Sequence, residues 1–82
     1  MPVTKTPIRQ RGHATPLDRH RLRAERIRAG LNQRRLAELT GLSTSQVSAL
    51  ETGANGASPE TLVRLAAALR CAVDDLLIRK SA

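Results

Sequence analysis

The sequence predicts an all-α fold, a compact bundle of about five helices, and three observations predict it. Apolar residues recur at helical spacing with no competing strand alternation or internal repeat. Cap residues and glycines punctuate the chain in the order that helix starts and stops require. The apolar set is Leu, Ala, Val and Ile, without Phe, Tyr or Trp, and short aliphatics suit closely packed helices. At 82 residues there is room for one domain and one core.

Residues 1–14, MPVTKTPIRQRGHA, carry Pro2, Pro7 and Gly12 and no apolar period, and read as a flexible basic arm. The domain proper is expected over 15–79, with 80–82 as a tail. Thr15-Pro16-Leu17-Asp18 supplies an N-cap, a proline at the first helical position and an acid three residues after the cap. The first helix is therefore expected to run to about Ala29, with Gly30 as its left-handed end and Leu22, Arg26 and Ala29 facing inward. Ile27 falls on no inner face.

Asn32 caps a second helix over about 33–40, lined by Leu36, Ala37 and Thr40 and stopped by Gly41. Ser43-x-x-Gln46 is a capping box that opens a third helix over about 44–52, with Val47 and Leu50 inside and Gly53 closing it. Ala54-Asn55-Gly56-Ala57 is a loop. Ser58-Pro59-Glu60 restarts a fourth helix through about Arg70, with Leu62, Leu65, Ala66 and Leu69 on its buried face. A last short helix is expected at about 74–78.

The net charge is +7, and it is uneven: Lys5, Arg9 and Arg11 begin a run of cations that reaches Arg35, against only Asp18 and Glu25. A basic half facing one way is the footprint of a polyanion binder, the alternative being a merely solvated surface. Without aromatic rings there is no platform on which unpaired bases could stack, so duplex recognition is favoured over single strands. Cys71 is the only cysteine, so no internal disulfide or thiolate cluster can form. No apolar run approaches the ~20 residues that cross a bilayer, and the basic N-terminus lacks the apolar core of a secretory signal. The expected compartment is the cytoplasm, in association with the nucleoid. No acid pair, nucleophile triad or phosphate loop is present, and two isolated histidines, His13 and His20, make a poor metal site. No catalysis, cofactor or metal is expected.

The second helix, a three-residue turn beginning at Gly41, and the third helix form a candidate helix-turn-helix. Ala37 is small enough to let the third helix cross closely, and Gly41 accepts the positive φ of a sharp turn. Leu42, Val47 and Leu50 clamp the two helices. On the opposite face Thr44, Ser45, Ser48 and Ala49 are short and uncharged. A helix enters a groove about 12 Å wide only if its leading face lets the backbone approach the base edges. There hydroxyls donate or accept hydrogen bonds, and the Ala49 methyl can meet a thymine methyl.

Leu31-Asn32-Gln33-(x)2-Leu36-Ala37-(x)3-Gly41-Leu42-Ser43-(x)3-Val47-(x)2-Leu50-Glu51-(x)-Gly53 resembles the lambda-repressor-like, or XRE, helix-turn-helix family. So does Pro59-(x)2-Leu62-(x)2-Leu65-Ala66-(x)2-Leu69 with Val73-Asp74-Asp75-Leu76-Leu77. The resemblance implies a base-reading third helix carrying Thr44, Ser45, Ser48 and Ala49. It implies that Gln33 grips backbone phosphate and that Arg26 and Glu51 form a partly buried ion pair near it. The residues argue the same: Glu51 beside Leu50 needs a partner, and Arg26 is expected on an inner face; a solvent-exposed Glu51 is the alternative. Asn32, Arg34, Arg35, Gln46 and the amides opening the second and fourth helices are further phosphate candidates.

The chain departs from the family pattern in three places. The loop after the third helix is one residue longer and has no Lys or Arg. Arg70 stands where a glycine usually ends the fourth helix. Cys71 replaces a buried aliphatic and reads as a small core residue. The missing loop charge is expected from Arg34, Arg35 and the arm, whose Lys5, Arg9 and Arg11 either follow phosphates, enter the minor groove, or form a tail that only speeds association.

The leading expectation is a homodimeric transcriptional regulator, a Cro-like repressor on double-stranded DNA, with Val73, Leu76, Leu77 and Ile78 as dimer candidates. Some of these four are expected to close the core instead. The alternative is an antitoxin or accessory protein whose main contact is a protein partner and whose operator binding serves autoregulation. A membrane-surface role fails on the narrow apolar stripe of the first helix.

Overall fold

The computed structural model describes residues 17–78. The arm with Lys5, Arg9 and Arg11, the Thr15-Pro16 signal and the 80–82 tail lie outside the described residues. Four α-helices follow one another: α1 (Arg19–Arg28), α2 (Gln33–Thr40), α3 (Thr44–Thr52) and α4 (Pro59–Leu69), then a 3-10 turn, Val73–Leu76. Among the described residues the α-helices number four, and the expected fifth is this 3-10 turn.

Each start obeys side-chain capping. Asp18 accepts from the amides of His20 and Arg21, Asn32 from Arg35, and Ser58 from Thr61. Ser43 and Gln46 make the reciprocal box, Gln46 N–H donating to Ser43 Oγ at 3.0 Å and Ser43 N–H to Gln46 Oε1 at 2.8 Å.

The helix ends repeat one device. A residue with positive φ follows each helix, and the next amide donates back to a carbonyl in the last turn: Leu31 to Arg26, Leu42 to Ala37, Ala54 to Ala49 and Cys71 to Ala66. At three ends the left-handed residue is glycine; at the fourth it is Arg70, at φ 56°.

Leu22, Leu36, Val47, Leu65 and Leu76 are fully buried, and Ala37, Leu50, Leu62, Ala66 and Leu69 complete the core. Thr40 is buried among them because its hydroxyl donates to the Leu36 carbonyl of its own helix at 2.8 Å. The α3 helix packs on α1 and α2, and α4 packs on α2 and the 3-10 turn. The α3 helix is thereby braced from two sides.

The sequence reading needs correction at both ends of the domain. The first cap is Asp18 rather than Thr15: Leu17 is extended, bridging to Leu77, and Asp18 N–H donates to the Leu76 carbonyl at 2.8 Å. The same pairing ends the last segment early. Leu77 is extended at φ −97°, ψ 151°, so the expected helix over 74–78 shrinks to a single 3-10 turn. Ala29 is exposed, since α1 stops at Arg28 and Leu31 packs against the core instead. Ile27 lies on the outside.

Candidate nucleic-acid interface

The α3 helix divides its residues by spacing. Val47 and Leu50 fall on the core side and are buried, which forces the intervening positions outward. Thr44 and Ser45 are exposed, and Ser48 and Ala49 are half-buried on the flank. Thr52, exposed, continues the row begun by Ser45 and Ser48, at helical spacings of three and four. The four expected base-facing side chains therefore share one short, uncharged surface.

Behind that surface Glu51 is tied down. Its side chain retains 4% exposure and that of Arg26 13%, with Arg26 Nε to Glu51 Oε2 at 2.6 Å. Arg26 Nη2 donates to Glu51 Oε1 at 3.1 Å, so the pair is bidentate. A third guanidinium nitrogen, Nη1, donates to the Leu31 carbonyl at 2.8 Å. Gln33 Nε2 also donates to Glu51 Oε1, at 3.2 Å. The network joins the last turn of α1, the first residue of α2 and the C-terminal half of α3, so the angle of α3 is set by polar bonds as well as by leucines. The solvent-exposed alternative for Glu51 is excluded.

The expected phosphate contacts fall into three groups. Gln33 and Asn32 stand at the start of α2, Asn32 already using its carbonyl oxygen to cap the Arg35 amide at 2.7 Å. Gln46 is exposed with its amide oxygen committed to Ser43 and its amide nitrogen available. Arg34 and Arg35 are exposed and both reach Glu38, at 3.8 and 3.0 Å. Pairs this exposed contribute little to stability and can be exchanged for a phosphate.

The four dimer candidates separate. Leu76 is fully buried and serves core closure, so it is not an interface residue. Val73 and Leu77 are half-buried, and Ile78 is 49% exposed. Cys71 sits at the margin of the core and not inside it, because it follows the left-handed Arg70 where α4 ends. Partial burial pushes its thiol above the usual value, and the carboxylates of Glu25 and Asp75 add to this while Arg28 opposes it.

Sequence reasoning missed Arg19. Its Nη1 donates to the Thr52 carbonyl at 2.6 Å, and its side chain lies over Gly53. The only local signal was Gly53 itself, which reads equally well as a simple helix stop.

A compact helical domain that presents a short, polar helix face beside basic side chains defines the class of helix-turn-helix DNA-binding regulators. The helix-turn-helix family model matches residues 22–76, and the chain belongs to that family, in its lambda-repressor-like branch. The restriction-modification controller protein C.AhdI from Aeromonas hydrophila is similar at 37% identity and a TM-score of 0.67, over 70% of this chain and 86% of that one. The P22 c2 repressor in complex with a synthetic operator is similar at 32% identity and a TM-score of 0.66, over 73% and 91%. The clp gene regulator ClgR from C. glutamicum is similar at 35% identity and a TM-score of 0.66, over 70% and 74%. No curated protein matches the chain.

Proposed function

We propose that the chain is a dimeric transcriptional repressor that reads duplex DNA in the major groove with α3. The observation that carries this reading is the division of α3. Thr44 and Ser45 are exposed, and Ser48 and Ala49 flank them, while Glu51 is locked to Arg26 and Gln33 behind. A face of hydroxyls and one methyl admits the backbone to the base edges, and a rigid rear fixes its register. Gln33, Asn32, Gln46, Arg34 and Arg35 then take phosphates, with Arg26 close behind Gln33; these contacts position and α3 specifies. Lys5, Arg9 and Arg11 add counterion release from the arm.

One such helix covers ~4–6 base pairs, too few to find a single site in a genome, which argues for two copies on a two-fold operator. Val73, Leu77 and Ile78 supply the self-complementary apolar contact. Similarity to a restriction-modification controller and to an operator-bound repressor supports the same role; the proposed place of action is the cytoplasm, on the nucleoid.

Selection of binding sites from random duplex DNA tests the proposal. The expected product is a symmetric motif with half-sites about 34 Å apart, centre to centre. Equal binding to all duplexes at moderate salt overturns it. If the protein instead binds DNA only in company with a second protein, the antitoxin reading replaces it.

A further inference from the structure

Arg19 opens α1, yet it is bound to the end of α3. Its Nη1 donates to the Thr52 carbonyl at 2.6 Å. The cradle is Gly53: a Cβ built there would lie 2.9 Å from Nη1 and 3.0 Å from Cδ of Arg19, so the guanidinium occupies the space that a side chain would fill. Thr52 continues the exposed row of Ser45 and Ser48, which places this cation at the C-terminal end of the base-facing surface. The loop that follows, Ala54-Asn55-Gly56-Ala57-Ser58, has no cation of its own.

Charge accounting singles Arg19 out further. Arg21, Arg26, Arg28, Arg34, Arg35 and Arg64 all have carboxylate partners. Among the described residues Arg19, Arg23 and Arg70 have none. Among the described residues Arg23 and Arg70 make no side-chain hydrogen bond to α3 that would aim them, whereas Arg19 is exposed and held there by one of its five donors. The remaining donors keep the planar fork that suits a phosphate oxygen pair.

We propose that Arg19 is a DNA-phosphate ligand, gripping the backbone where α3 leaves the groove and supplying from α1 the charge that the 54–58 loop lacks. The inference rests on the duplex-reading function proposed above. Its role is to position: it fixes how deeply the far end of α3 sits, and carries no base preference of its own.

The test compares the salt dependence of binding for the full chain and for Arg19→Gln, Arg19→Lys and Arg23→Gln on the selected duplex and on a random one. Arg19→Gln is expected to lower the slope of log K against log salt by about 0.9, one released counterion, and to weaken binding to both duplexes equally. Arg19→Lys retains the wild-type slope. Arg23→Gln, the same charge change one turn along α1, shifts it by clearly less. Thermal unfolding checks the fold, and if the Gln variant is unfolded, Arg19→Met, which keeps the aliphatic stem over Gly53, carries the same comparison. An unchanged slope for Arg19→Gln, or an equal loss for Arg23→Gln, overturns the proposal while leaving α3 as the reader. A wild-type chain without duplex preference overturns the underlying reading and this proposal with it.

Discussion

The two halves of the domain share one apolar core and differ in what is added to it. From Arg19 to Gly53 the buried Leu22, Leu36, Ala37, Val47 and Leu50 are joined by polar and conformational ties. Arg26, Gln33 and Glu51 form a hydrogen-bonded ion pair across three helices, and every helix ends on a glycine at positive φ. From Ser58 to Leu76 the joints are chiefly apolar: Leu62, Leu65, Leu69 and Leu76 are buried, α4 ends on a strained arginine, and the ion pair of Arg64 with Glu60 is exposed. Hydrophobic contact is strong but tolerant of small rotations, whereas a bidentate ion pair has one geometry. The difference teaches that the second, leucine half supplies stability alone, while the first adds to its own apolar core a polar network that fixes where the α3 face points.

The largest effect that can break this comparison is expected at Glu51. Glu51→Ala strands the Arg26 guanidinium with 13% of its side chain exposed and leaves Gln33 without its acceptor. Losing one partner of a buried pair costs on the order of 3–5 kcal/mol. Both thermal stability and affinity should fall, and affinity should fall further than the unfolded fraction explains. A stability loss within about 0.5 kcal/mol, the range of ordinary surface substitutions, would show the network to be ornamental. Leu65→Ala, in the other half, is expected to cost roughly 2–5 kcal/mol as a large-to-small core change. Here the affinity of the folded fraction should stay at the wild-type value. Measured together by chemical unfolding and by binding under native conditions, the two variants separate stability from aim.

A smaller effect sharpens the comparison on α3 itself. Thr44→Ala combined with Ser45→Ala removes two exposed hydroxyls that make no bond within the described residues. Stability should change by less than about 0.5 kcal/mol. Discrimination between the selected duplex and a mismatched one should shrink by about 1–3 kcal/mol, the scale of one lost base contact. An intact preference in competition titrations would move base reading away from the α3 N-terminus.

The helix-turn-helix was legible because its determinants are local. Asn32, Gly41, Ser43, Gln46 and Gly53 each act within four residues of their own position, and all of them do what their spacing implied. The Arg26–Glu51 pair, although 25 residues apart, was legible because an acid beside a core leucine demands a partner, and because the family resemblance named one. The two ends of the domain were not. Thr15-Pro16 offers a better local cap than Leu17-Asp18, and 74–78 has enough apolar residues for a turn of helix. Both preferences lose to a pairing across the fold, Leu17 with Leu77 and the Asp18 amide with the Leu76 carbonyl, that no window of sequence displays. Arg19 was missed for the same reason, since its partner Thr52 is 33 residues away.

The smallest effect tests the strain assigned to the leucine half. Arg70 holds φ 56° and ψ 44° so that the Cys71 amide can reach the Ala66 carbonyl at 3.0 Å and the chain can turn toward Leu76. A residue with a Cβ in this conformation carries roughly 1–2 kcal/mol of steric cost, and glycine carries none. Glycine gives back about 0.5–1 kcal/mol of that by freeing the unfolded chain, so Arg70→Gly should stabilise the fold by up to about 1.5 kcal/mol. The Arg70 side chain is exposed and has no ion pair among the described residues, so little is lost with it. Raised thermal stability with unchanged affinity is the outcome that fits. A fall in stability would mean that the guanidinium makes a contact outweighing the strain, and a change in affinity would mean that this half also aims α3.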